Sequence, residues 1–268
     1  MAYDDLQDLN LAGVQWELTE EPMATARKKT MEKQDAEPAP VQAAPRQVNV
    51  SDIDASISMG RTPTSVVPPI APIQPMSRDT AVAMATRPGD MESLGRMIAE
   101  FNHPLRAGAT NVVLPHTAQN PNGLVIITDI PGSDDDASGR ILSGTVGELM
   151  DKMLAAIGMS RDNVSIVPLI FWRTPGGRTP TREEMDLARP FVNRAIELLR
   201  PRVILTLGTI AATEIADATL PRGHGVPVVR DNVTIMPIFH PNYLILKPAA
   251  KRDAWTALQT VQNLLKSA

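Results

Sequence analysis

Two residues stand where layered proteins keep their reactive groups. Asp129 closes the apolar run LVIITD (124–129), and His240 closes TIMPIFH (234–240), each just ahead of a proline. Carboxylates and imidazoles are the side chains that most often move protons in enzymes, and both fall at the carboxyl ends of apparent strands. Each has a competing structural explanation. Asp129 could be held at the mouth of a cleft or could cap its own Pro131-Gly132 turn, and a lone histidine at a strand end is more often a polar residue closing that strand.

Other groups lie in the same loops. The turn DIPGSDDDASG (129–139) offers Asp129, Asp134, Asp135 and Asp136 to a metal, but it lacks the spacing and closing glutamate of a calcium loop. Asp and Gly satisfy turn backbones unaided, so metal binding is rejected and a solvated loop is expected. The segment FWRTPGGRTPT (171–181), another loop at a strand's carboxyl end, carries Arg173 and Arg178.

The elements that must position these residues begin at residue 91. Strands are expected at 111–114, 124–129, 164–171, 203–207, 226–230 and 234–239, and helices at 93–101, 145–157, 182–199, 209–216 and 249–266. Continuous apolar runs such as RVILTLG suit strands buried on both faces. The expected fold is therefore α/β: a three-layer α/β/α sandwich with a central, mostly parallel sheet. Helix 182–199 is the clearest, with Thr181 as N-cap, Glu183 and Glu184 in the first turn, and Arg200-Pro201 at its end.

Residues 1–90 read differently. They hold 10 of the 24 prolines, two of the nine aromatics, and 8 basic against 13 acidic residues. Such a stretch buries too little apolar surface to offset its ordering entropy, so a disordered, Pro-rich acidic tail is expected, a solvated spacer in preference to a segment that docks a protein partner. Residues 91–268 are then the folded domain, with 18 basic and 17 acidic residues, a balance compatible with DNA if the basic ones share a face. The chain has no cysteine, which excludes thiolate metal sites and disulfides. No apolar run approaches membrane-spanning length and the N-terminus is acidic, so a soluble, cytoplasmic protein with no membrane association is expected.

Taken together, the loops resemble those of the uracil-DNA glycosylase superfamily, most closely its iron–sulfur branch, family four. TDIPG, SDDDAS and GRILSG (128–144) match that family's first motif and the acidic turn after it. ELMDKML (148–154), WRTPGGRTPT (172–181), PRVILTLGTIAA (201–212) and HPNYLILKPAAKRDAW (240–255) follow in the family's order. The resemblance spans roughly residues 93–266. It implies a monomeric enzyme that flips a damaged nucleotide from DNA and hydrolyses its N-glycosidic bond.

By position, the resemblance makes Asp129 the sugar-side carboxylate and His240 the donor to the departing base. Ile130, Gly132, Leu142 and Pro168 fall in the base pocket, and Arg173, Arg178, Asn242, Tyr243, Leu244, Ile245 and Lys247 on the DNA face, with Tyr243, Leu244 and Ile245 as the wedge. Three departures accompany it. Pro168 replaces the asparagine that reads the base edge, and Leu142 replaces the stacking aromatic. Trp172 and Ala188 stand where two cluster cysteines belong, so no cofactor is expected, with apolar packing in the cluster's place. Pro168 and Leu142 also motivate an alternative: a fold without catalysis that binds DNA or protein.

Overall fold

The computed structural model describes residues 77–266; the greater part of the expected tail, residues 1–76, lies outside them. A five-stranded sheet runs in the order β2-β1-β3-β5-β4, from β1 (Leu124–Thr128), β2 (Ser165–Pro168), β3 (Val203–Leu207), β4 (Val228–Arg230) and β5 (Val233–Ile238). All neighbours are parallel except the edge pair β4–β5. Thr128 is level with Pro168 on one side and Leu207 on the other, and Leu207 with Ile238. The strand ends thus form one carboxyl edge, where ligands gather in open α/β sheets.

Alternation along the strands divides the core in two. Val125, Ile127, Val167, Ile204 and Ile235 face α1 (Arg78–Ala85), α2 (Met91–Glu100), α5 (Arg182–Leu199) and α6 (Thr209–Ala216). Leu124, Ile126, Ile166, Leu205, Leu207, Met236 and Ile238 face α4 (Gly144–Ala156) and α8 (Lys251–Lys266). Burying each large aliphatic or aromatic side chain contributes about 1.5–3 kcal/mol, so both faces are strongly specified. The three-layer α/β sandwich expected from the sequence is the fold observed.

Helix α5 forms as its signals indicate. The Thr181 hydroxyl accepts from the Glu184 N–H at 3.2 Å, and the Glu184 carboxylate accepts from the Thr181 N–H at 2.7 Å, a reciprocal cap. Arg200 closes the helix in left-handed conformation.

Several boundaries differ from expectation. Ordered structure begins before residue 91: α1 is capped by Ser77 and buries Ala81 and Ala85, small residues that carry little signal in a composition count. Residues 111–114 form no strand; beyond them His116 makes a single bridge to Ile166. Two short helices, α3 (Ser133–Ser138) and α7 (Pro241–Leu246), occupy stretches read as loops.

Candidate active site at the carboxyl edge

The His240 ring is fixed at both nitrogens. Pro241 starts α7 and turns the backbone so that the Asn242 N–H donates to His240 Nδ1 at 3.2 Å. With Nδ1 accepting, a neutral ring carries its hydrogen on Nε2. That atom donates to Thr128 Oγ1 at 3.1 Å, across the end of β3. Burial lowers the His240 pKa to about 4, opposed by the negative charge of Asp135. At neutral pH His240 is therefore an uncharged hydrogen-bond donor with a defined tautomer.

Asp135 belongs to the acidic turn expected to be solvated, but it is buried. Its Oδ2 accepts from the Gly132 N–H at 3.0 Å, and its Oδ1 from the Ser143 N–H and hydroxyl at 2.7 and 2.8 Å. Asp136, also buried, turns elsewhere and accepts from the N–H groups of Thr110 and Asn111. The turn folds into α3 because these carboxylates find backbone donors within reach, a pairing that loop composition does not reveal.

Asp129 takes a third direction. Its Oδ1 accepts from the Ala211 N–H at 2.6 Å, with the N–H groups of Ile210 and Thr209 also acting on the carboxylate. It caps α6 rather than its own loop. Burial raises its pKa to about 6, against the opposing pull of those N–H groups. Gly208 makes the approach possible: its φ is +99°, and a β-carbon there would come within 2.1 Å of Asp129 Oδ2.

The residues named from the sequence are only partly brought together. Pro168 and His240 follow the strand alternation of the α4/α8 face, as does Thr128, which was not among them, and Leu142 is buried in that core. Ile130 packs on the opposite face, the one that also holds α6, whose N-terminus receives Asp129. Gly132 is committed to Asp135 through its N–H.

On α7, Leu244 is buried, so it cannot be an exposed wedge; Tyr243, Ile245 and Leu246 are the exposed apolar side chains. Six residues of helix place Leu244 inward, one turn on from His240. Asn242 and Lys247 are exposed. Arg178 does not stand free: it makes a bidentate pair with Glu184 at 2.6 and 2.8 Å that ties the 172–181 loop to α5. Arg173, half-buried, has no ion pair among the described residues. Thr128 and Ser143 are site residues that sequence reasoning missed, and Asp135 was weighed only as a metal ligand and rejected. Their only signal was membership of the segments TDIPG, SDDDAS and GRILSG.

The sequence that forms this edge matches known proteins. A family model described as the Uracil DNA glycosylase superfamily matches residues 114–259, just over half the chain. The chain belongs to the uracil-DNA glycosylase superfamily. It is 31% identical over 168 residues to a type-4 uracil-DNA glycosylase of Thermotoga maritima, covering 60% of this chain and 86% of that protein. It is 30% identical over 177 residues to one of Archaeoglobus fulgidus (61% and 88%) and 28% over 175 residues to one of Pyrobaculum aerophilum (61% and 89%).

The iron–sulfur cluster implied by the family-four resemblance does not fit the residues of this superfamily member. It has no cysteine, and Trp172 and Ala188 are wholly buried in the α5-side core. Trp172 stacks on His103 with ring centres 4.6 Å apart and an interplanar angle of 7°, and meets Phe171 edge-on. His103 Nε2 donates to the Glu184 carbonyl at 3.0 Å, while its Nδ1 accepts from the Leu105 N–H at 3.2 Å. Neither ring nitrogen is left for a metal. Among the described residues, no helix is long and apolar enough to cross a membrane.

Proposed function

We propose that the protein is a DNA N-glycosylase, acting on uracil or another damaged base extruded from DNA. The observation that carries this reading is the His240 tautomer. An uncharged imidazole with Nε2–H at the sheet's carboxyl edge is suited to donate to a base oxygen as negative charge develops on it. Thr128 Oγ1 holds that hydrogen until a base oxygen replaces it. The nearby Asp135 charge opposes the burial that lowers the His240 pKa without overcoming it, so the ring meets the base as a neutral donor.

Asp129 is the proposed sugar-side carboxylate. It is partly exposed at the end of β1, oriented by the N-terminus of α6, and its pKa of about 6 leaves it mostly ionised at neutral pH. A nucleotide lying over the strand ends would meet Asp129 from one face of the sheet and His240 from the other. The carboxylate then opposes the positive charge on the sugar and orients water. Tyr243, Ile245 and Leu246 would fill the gap left in the duplex, with Lys247 and Arg173 against phosphates. DNA is the partner this requires.

A second reading has its own support. Pro168 offers no donor, and the Leu169 N–H is already given to the carbonyls of Thr128 and Asp129 at 3.0 and 3.2 Å. The edge of β2 thus lacks a free donor to read uracil, which favours either a different lesion or DNA binding without catalysis. Incubation with oligonucleotides carrying uracil, hypoxanthine, xanthine or alkylated bases separates the readings. Release of a free base from any of them supports the enzyme; salt-sensitive binding with no release from all of them supports the binding module.

A further inference from the structure

Leu142 adopts a left-handed backbone with φ of +49°, a conformation that leucine seldom takes and that persists only when its surroundings impose it. The surroundings here are specific. Arg161 donates from Nη1 to the Ile141 carbonyl at 2.9 Å and from Nη2 to the Leu142 carbonyl at 2.5 Å. Its Nε is held by Asp151 at 2.7 Å, and its own carbonyl accepts from His116 Nε2 at 2.8 Å. Gly147 lets α4 close on the same point, since a β-carbon there would lie 1.9 Å from the Leu142 carbonyl oxygen.

The residue after this turn is Ser143, whose N–H and hydroxyl both go to Asp135. A continuous chain of contacts therefore runs from Arg161 through the 141–143 turn to the buried carboxylate whose charge acts on His240. One guanidinium thus fixes the turn that holds the buried Leu142 and, through Ser143, the Asp135 carboxylate.

We propose that Arg161 is a positioning residue of the glycosylase site, holding the strained 141–143 turn so that Ser143 keeps the Asp135 carboxylate in place behind His240. The proposal rests on the glycosylase reading above. It assigns Arg161 no contact with DNA, so its loss acts on the chemical step and not on binding.

The test compares wild type, Arg161→Ala, Arg161→Lys and Asp151→Asn in single-turnover base release on the lesion that wild type processes best, with DNA affinity and folded fraction measured alongside. Arg161→Ala is expected to lower the maximal rate per folded molecule roughly 10- to 100-fold with DNA affinity unchanged. Arg161→Lys, which can reach only one carbonyl at a time, should fall between, as should Asp151→Asn. Added guanidinium ion should restore part of the Arg161→Ala rate and none of a His240→Ala rate. If Arg161→Ala does not fold, the Lys and Asn variants carry the test. A wild-type rate per folded molecule in the variants, or a loss seen equally in DNA affinity, overturns the proposal while leaving the glycosylase reading intact. Wild type releasing no base from any lesion removes that reading and this proposal together.

Discussion

Replacing Asp129 by asparagine should make the protein more stable at neutral pH while disabling it. Burial lifts the Asp129 pKa from 3.8 to about 6, so between those values the native state holds a proton that the unfolded chain has released. The Asp129 contribution to stability then falls as pH rises through this window, and its loss is complete above about 6. The gap corresponds to about 3 kcal/mol at ~1.4 kcal/mol per tenfold change in proton affinity. Asparagine does not ionise, and its carbonyl can still accept from the Ala211 N–H. Its amide nitrogen is a poorer neighbour for the remaining N–H groups of α6, so a net gain of about 1–2 kcal/mol at pH 7.5 is expected, and the rise in stability with pH that the lowered His240 pKa contributes between about 4 and 6 should emerge once the opposing Asp129 contribution is gone. Urea unfolding across pH 3.5–8 measures both quantities. The same variant should lose roughly 100-fold in single-turnover base release. A variant less stable than wild type at pH 7.5, or one keeping the wild-type slope, would refute the claim that Asp129 is a partly buried charge maintained at a cost to the fold.

Two further outcomes follow from the geometry. Glu184, whose pKa is lowered to about 2 chiefly by its hydrogen bond from Arg178, contributes stability that is present above pH 4.5 and lost as pH falls from there toward 2. Glu184→Gln should therefore melt roughly 2–4 °C below wild type at pH 7, for about 1 kcal/mol, with the difference closing in acid. Leu246, 69% exposed on α7, should tolerate alanine with little change in melting temperature, yet duplex binding in a fluorescence-anisotropy titration should weaken roughly tenfold if this side chain enters the groove.

The sheet was legible because its strands are buried on both faces and therefore read as unbroken apolar runs; β3, α5 and α6 have the bounds expected from sequence. The short helices were not. In α3 the helix depends on Asp135 and Asp136 meeting donors from residues 110, 111 and 143, and no local pattern encodes those meetings. In α7, Pro241 at the first helical position is a start signal, but a six-residue segment is too short to show periodicity, so nothing local separates the inward Leu244 from its exposed neighbours. His240 stands out because it ends a strand within a recognisable run. Its tautomer does not, because that depends on the Asn242 N–H and on a hydroxyl 112 residues away. Asp129 lies at the strand end as expected, but the helix that receives it, Thr209–Ala216, lies beyond any spacing argument. Arg161 carried no signal at all, since two of its partners are backbone carbonyls.

Donation from a neutral His240, through Nε2, to a departing base is tested most directly by measuring free base released in a single turnover from lesion-containing DNA, comparing wild type with His240→Ala at pH 7.5. Wild type is expected to leave abasic sites, and the variant to be slower by roughly 100- to 1000-fold, with DNA binding retained. Equal rates for the two proteins would contradict the role given to His240, and the absence of release from every lesion by wild type would contradict the function itself.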